Sequence, residues 1–446
     1  MTGSESTAAG RGKTVVVVGA GVAGLTLADR LLRQGCRVEI VEREEKVGGL
    51  ARSMRYGEFG FDIGPHRFHT EFPEVMELVV ETLGAEYRTV QRRSAVWMFG
   101  RYLTWPLRLS ALRHLPVRVI ATLVRDLFAR KPPQVTTFEE YVVARYGRTI
   151  YEIFFKPYTE KFLRQPCAGI SPDWAATGIE RAVIDKQLEL ADLRSLVRSL
   201  LLPRPALRFL YPSDGGIGVF SEKLAEAVVA RGGTLRLGTR VEGLVVEGDR
   251  VRAVLAGGRR LPCDELVWTA PLPLLLHYLN HEPPDLSFLA LLLFNYGIDH
   301  EPRVEHQWCY FGAPEIPFNR VSIPSHFNPS LAPPGQSGLC VEMSCRTDED
   351  LWQAPERHEA SVRRALVETG LLHTEGSVLR CDIHRIPQAY PIYTSDYRMK
   401  LEAALELVAR YPNVHALGRG ATFWYNNMDH SMRSALQLAT RLESSR

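Results

Sequence analysis

The chain has 446 residues, 45% of them apolar and 24% charged, ordinary values for a globular protein whose length calls for two or three domains. A net charge of +3 lacks the concentrated basic surface of a nucleic-acid binder. No apolar run approaches the roughly 18–20 residues that span a bilayer, so no transmembrane segment is expected.

Met1 to Gly12 is rich in Ser, Thr, Gly and Ala without an apolar core, and reads as a loose leader rather than a secretory signal. Thr14 to Val18 is a β-branched run closed by glycine, the pattern of a buried parallel strand. Val22 to Gln34 comes next with helical spacing of Leu25, Ala28, Leu31 and Leu32, stopped by Gly35, and Arg37 to Val41 is the second strand. From Arg93 to about Arg204 the pattern turns helical, rich in Leu, Arg and aromatics. Short strands return at Thr234–Leu237, Val241–Glu247, Val251–Leu255 and Glu265–Thr269. Leu286–Ile298 and Leu339–Ser344 read as a second sheet, Glu356–Thr369 as a helix, Val414–Gly418 as a final buried strand and Asp429–Glu443 as a final helix.

The expected fold is α/β. A discontinuous Rossmann-like domain over residues 13–92, 206–275 and 409–446 is interleaved with a mixed α+β substrate domain, a helical insertion at 93–205 and an antiparallel sheet at 276–408. The seven cysteines (Cys36, Cys167, Cys263, Cys309, Cys340, Cys345 and Cys381) are scattered without a C-x-x-C pair, which fits a reduced cytoplasmic protein.

Gly19, Gly21 and Gly24 form a G-x-G-x-x-G frame. Such a frame is weak alone, but here it succeeds a strand, opens a helix and precedes an acid, Glu42, at the end of the next strand. Gly19 permits the tight turn, Gly21 lets the backbone approach a pyrophosphate, and Gly24 allows close helix–strand packing. The helix N-terminus at Val22 and Ala23 offers free N–H groups to the phosphates, and Glu42 accepts from ribose hydroxyls. The unit binds a dinucleotide.

The residues after the second strand narrow the dinucleotide. Glu42-Arg43 leads into Gly48-Gly49-Leu50-Ala51-Arg52, which resembles the second signature of the flavoproteins that include monoamine oxidases, protoporphyrinogen oxidases, phytoene desaturases and UDP-galactopyranose mutases. The resemblance implies FAD, with the two glycines against its pyrophosphate and Arg52 near the flavin. Gly418-Arg419, with Tyr425-Asn426-Asn427-Met428-Asp429-His430-Ser431 just beyond, resembles the C-terminal flavin motif of the same group. There, backbone N–H groups at the start of the last helix face the flavin and stabilise its reduced anion. Tyr425, Asn427, Met428, Asp429 and Ser431 are carried over as cofactor residues, together with Val241. Ala421 stands where relatives carry glycine, which bears on the local geometry.

Gly64-Pro65-His66-Arg67-Phe68-His69-Thr70 resembles the G-P-H-x-F-H-T segment of bacterial UDP-galactopyranose mutases, and the similarity to the wider group covers almost the whole chain. The resemblance implies that Gly64, Pro65 and His66 run beside the flavin, with His66 and Arg67 as catalytic candidates. It also implies a nucleotide sugar as substrate, isomerised between pyranose and furanose through reduced flavin N5, with an external reductant such as NAD(P)H. Such a substrate calls for bidentate arginines and stacking aromatics. Arg67, Arg101, Arg320 and Arg385, with Tyr158, Trp174, Tyr390, Tyr393 and Trp424, are the candidates. Taken singly, each arginine reads equally as a surface ion pair and each aromatic as core. An oxidase or dehydrogenase passing hydride to N5 is equally compatible with these motifs. No H-E-x-x-H, nucleophile elbow, Walker loop or zinc cluster appears, so no metal is expected. His114 to Lys131 carries Arg118, Arg125, Arg130 and Lys131 beside Val119, Leu123 and Leu127. This is either an insertion helix with a solvated basic face or a peripheral contact with lipid.

Overall fold

The computed structural model describes residues 12–105, 113–126, 128–129, 135–175 and 207–444. The expected leader and much of the expected helical insertion lie outside these residues, as do Leu127, Arg130 and Lys131.

Thr14–Val18 forms the centre of a five-stranded parallel sheet because its valines have no polar face to present: Val15, Val16 and Val17 are buried on both sides. It pairs with Arg37–Val41 on one side and Glu265–Trp268 on the other. Thr234–Arg236 and Val414–Ala416 complete the sheet at its two edges. The helix Val22–Arg33 packs against both Gly218–Ala230 and the last helix, Met428–Ser444. This dinucleotide-type sheet is therefore assembled from the two ends and the middle of the chain.

A seven-stranded sheet forms the other half. Its order is Val378–Pro391, Phe288–Ile298, Ser337–Cys345, Arg320–Ser322, Trp308–Phe311, Ser94–Met98 and Arg101–Trp105. Every pairing is antiparallel except that of Trp308–Phe311 with Ser94–Met98. The unbroken apolar run of its second strand has a physical reason. Leu289, Leu291 and Leu293 join the core shared with the parallel sheet, whereas Ala290, Leu292 and Phe294 join a separate core on the opposite face. Successive side chains alternate faces, so the stretch Phe288 to Phe294 between two cores is apolar on both, and Asn295 is the first polar residue of the strand.

The structure corrects the sequence reading in several places. The stretch beginning at Arg93 is not helical at its start: Ser94–Met98 and Arg101–Trp105 form a hairpin on the edge of the second sheet, its β-branched and aromatic residues fitting a half-buried strand. Helices come after it at Val117–Asp126, Phe138–Tyr146 and Lys156–Leu163. In the first of these Val119 is buried, while Arg118 and Arg125 are exposed. The strand expected over Val414–Gly418 ends at Ala416, because Gly418, at φ +77°, opens a short helical turn. The helix expected from Glu356 begins at Glu359, after a tighter turn over Pro355–His358. The helices Pro73–Leu83, Gly218–Ala230 and Tyr397–Ala409 and the long strand Val378–Pro391 were not anticipated. No helix among the described residues is long and apolar enough to cross a membrane.

Candidate active site

Two cavities meet between the sheets. The larger, about 430 Å³, opens at the carboxyl ends of the parallel strands and is lined by Gly19, Gly21, Val22, Ala23, Glu42, Arg43, Gly48, Gly49, Leu50, Ala51, Arg52, Val241, Gly418, Arg419, Asn427, Met428 and Ser431, among others. Gly19 has φ +106°, and a Cβ there would collide with the Thr269 hydroxyl oxygen, so this turn admits only glycine. Gly21 differs. Its backbone is extended, and the nearest atom to a Cβ there is Gly49 Cα at 3.9 Å, which leaves that side open to a ligand. The helix beginning at Val22 has no side-chain cap, so its first N–H groups are not taken by a capping side chain. Glu42 is held at the strand end by N–H donation from Ala20 (2.8 Å) and Glu44 (3.0 Å). These features suit a dinucleotide: open backbone where phosphate would lie, a helix N-terminus facing it and a positioned carboxylate for ribose.

The smaller cavity, about 210 Å³, has a different character. Five arginines line it (Arg67, Arg92, Arg208, Arg320 and Arg419), together with Tyr310, Tyr390, Tyr425, Phe209 and the carboxylates Glu71 and Asp429. Leu50, Ile63, His66, Ala389, Arg419, Asn427 and Met428 line both cavities. Substrate and cofactor would thus face each other across this common wall.

The wall is electrostatically defined. Burial, reinforced by Arg419, pulls the pKa of His66 down to about 3, so its imidazole is neutral. Its Nδ1 lies 3.3 Å from the Gly64 carbonyl oxygen. Arg419 donates to the carbonyls of Ala389 (3.2 Å) and Asn426 (2.6 Å) and lies over the rings of Tyr390 and Tyr425 at 5.5 and 5.0 Å. Arg320 forms a bidentate pair with Glu342, at 2.5 and 2.6 Å. Burial works against the Arg320 charge, but Glu342 more than restores it, holding the guanidinium well above its ordinary pKa. Burial also raises the pKa values of Tyr390 and Tyr425, so both stay protonated and able to donate.

The model of the flavin-containing amine oxidoreductase family matches residues 22–442. The chain belongs to that family. FAD is its cofactor, and it is an enzyme of this group. Among curated proteins it is 27% identical to a phytoene dehydrogenase of Streptomyces griseus over 75% of this chain and 73% of the relative. It is 24% identical to a probable UDP-galactopyranose mutase of Klebsiella pneumoniae over 97% and 95%. A crystal structure of reduced UDP-galactopyranose mutase has the same fold, with TM-score 0.78, 21% identity and coverage of 97% of this chain and 96% of that one.

In this flavoenzyme the residues singled out from sequence fall into three groups. Most cofactor candidates line the larger cavity. Pro65, Tyr425 and Asp429 instead line the smaller one, Gly24 is buried in the helix, and Gly64 lines neither, contributing the carbonyl near His66. Of the substrate candidates, Arg320 and Tyr390 line the smaller cavity, whereas Arg385 reaches the edge of the larger one and donates to Glu356 (3.3 Å). Tyr158, Trp174, Tyr393 and Trp424 line neither. Tyr158 packs edge-on against Tyr310, Trp174 stacks on Tyr425 at 5.3 Å, and the Tyr393 hydroxyl accepts the Tyr425 N–H at 2.8 Å. Trp424 packs against His430. These four support the wall rather than form it. Arg101 is a correction: it sits exposed on the edge hairpin, 2.9 Å from His114 Nδ1, and lines neither cavity.

Sequence reasoning missed Arg92, Arg208, Tyr310 and Glu71 in the smaller cavity, and His384 beside Arg52 (3.1 Å) in the larger. Arg92 and Arg208 lie at the ends of the paired strands Tyr87–Gln91 and Arg208–Pro212, a long-range pairing that no local motif announces.

Proposed function

We propose that this flavoenzyme acts on a nucleotide-activated sugar, isomerising it between pyranose and furanose forms with FAD in its reduced state. The observation that carries the reading is the lining of the smaller cavity. Five arginines and three tyrosines face the wall shared with the cofactor cavity, which suits an anionic, ring-bearing substrate. Reduced flavin, when bound, supplies a nucleophilic N5 that can act on an anomeric carbon without net redox change. The chain's own residues do the rest. Neutral His66 offers a hydrogen bond at the shared wall without adding charge, while the protonated Tyr390 and Tyr425 hydroxyls present donors to sugar oxygens. Arg419 lies over both tyrosine rings, and Leu50, Ile63, Ala389 and Met428 add apolar surface to the meeting point. The reading includes an external reductant such as NAD(P)H and a cytoplasmic setting, the latter supported by cysteines that form no disulfide.

A second reading, hydride transfer from a small-molecule substrate to FAD, is favoured by the similarity to phytoene dehydrogenase. The arginine-rich cavity does not suit a hydrocarbon. Product analysis after incubating dithionite-reduced enzyme with UDP-galactose and dTDP-sugars separates the two. A furanose or other isomer is the expected result. Absence of any isomer, together with substrate-dependent bleaching of oxidised flavin, favours the second reading.

A further inference from the structure

Arg52 and His384 line the larger cavity from different halves of the molecule. Arg52 comes directly after the turn that Gly48 and Gly49 open, and His384 lies on the strand Val378–Pro391 of the seven-stranded sheet. The Arg52 side chain is only 15% exposed. Its Nη1 lies 3.4 Å from a Glu44 oxygen, a loose contact with a carboxylate that also accepts from Arg43 at 3.2 Å. Its Nη2 lies 3.1 Å from His384 Nε2, the closer of the two contacts. Strand register turns His384 this way: its cross-strand partner Leu293 belongs to the core shared with the parallel sheet.

A guanidinium can only donate, so the imidazole accepts at Nε2 and carries its proton on Nδ1. Burial, and Arg52 itself, draw the pKa of His384 below the ordinary histidine value, which keeps the ring neutral. An uncharged acceptor orients a guanidinium without cancelling its charge. Arg320 shows the opposite arrangement: Glu342 holds it with two hydrogen bonds and neutralises it. Arg52 is aimed by His384 and left cationic, in a cavity whose cofactor carries a diphosphate.

We propose that His384 is a positioning residue for the cofactor: it holds the Arg52 guanidinium in the larger cavity as an unneutralised cation and thereby slows the escape of FAD. This role is independent of the substrate that the smaller cavity takes.

The test follows the release of FAD from the purified holoenzyme on dilution, by the recovery of flavin fluorescence, a readout that needs no turnover. His384→Leu is expected to release FAD at least ~10-fold faster than wild type, because Arg52 loses the group that aims it. His384→Gln restores an uncharged acceptor near the Nε2 position and should stay within ~3-fold of wild type. His384→Glu also restores an acceptor but neutralises Arg52, and should release FAD as fast as His384→Leu. In an Arg52→Met background, His384→Leu should add less than ~2-fold, because the two residues act as one unit. Wild-type retention of FAD by His384→Leu overturns the proposal. So does wild-type retention by His384→Glu, which would make the contact a latch between the two halves and nothing more. Equal acceleration by His384→Leu with and without Arg52 overturns it too, since a general loosening of the fold gives that result. If His384→Leu does not accumulate as holoenzyme, the Gln and Glu variants decide, and equal release from the two overturns the proposal.

Discussion

The two cavities that meet at His66 are built by opposite means. The cofactor cavity is largely a backbone object: a glycine turn, an uncapped helix start and strand ends, most of it within Val18–Arg52 and Gly418–Ser431. The smaller cavity is a side-chain object, its arginines and tyrosines brought together from segments hundreds of residues apart. A backbone site tolerates change wherever side chains point away and fails abruptly where φ is fixed. A side-chain site degrades by charge, residue by residue.

The largest expected effect breaks the cofactor cavity at its turn. Gly19→Val combines a left-handed φ with a contact no Cβ can make, so a loss of more than about 4 kcal/mol and FAD-free, largely unfolded protein are expected. Denaturant midpoint and flavin-to-protein absorbance ratio report both. Next comes the ion pair beside the smaller cavity. Arg320→Ala strands Glu342, whose side chain is 2% exposed, and should cost about 3–5 kcal/mol. The double variant Arg320→Met with Glu342→Leu should recover most of it; failure to do so would show that the pair is more than a neutralised charge. Gly21→Ala sharpens the contrast with Gly19. Stability should stay within about 0.5 kcal/mol while FAD affinity, measured by fluorescence titration, falls at least ~10-fold.

A further expected effect is one of pH. Buried Asp62 accepts from Ser53 (2.6 Å), Tyr211 (2.5 Å) and the Ile217 N–H (3.0 Å), yet burial raises its pKa to about 6. The folded state therefore holds a proton that the unfolded chain, near pKa ~3.9, releases. Its contribution to stability declines as pH rises from about 4 to about 6, by about 3 kcal/mol. His66 slopes the other way: its pKa is depressed, so its contribution is lost as pH falls below about 6.5. Subtracting urea midpoints of Asp62→Asn from those of wild type at each pH cancels His66. A flat difference from about pH 4 to about pH 7 would refute the assignment.

The same contrast explains what the sequence made legible. The first strand, helix and strand were readable because valine runs, helical spacing and Gly35 all lie within one short window. Phe288–Ile298 was visible because burial on both faces makes its first seven residues, Phe288 to Phe294, all apolar. Val378–Pro391 was not. Its partly exposed positions mix Arg380, Asp382, His384 and Arg385 with apolar residues, so no single period stands out. Glu42 and Gly21, which line the larger cavity, were legible because their placement depends on neighbours in sequence. Arg92 was missed because it reaches the cavity through the pairing of Tyr87–Gln91 with Arg208–Pro212. Arg101 misled for the converse reason: a strand end near aromatics resembles a site locally, and only the sheet order puts it on the outer edge.

The strand order of the parallel sheet also has a consequence for how the protein is made. Thr14–Val18 and Arg37–Val41 leave the ribosome first, but Val414–Ala416 and the helix Met428–Ser444, which close the sheet and the cofactor cavity, leave last. At about 5–20 residues per second the valine-rich first strand waits roughly 20–80 s for its distant partners. Truncation before residue 414 removes an edge strand and the last helix, so it is expected to expose the edge of Glu265–Trp268 and lower soluble yield rather than only weaken the enzyme.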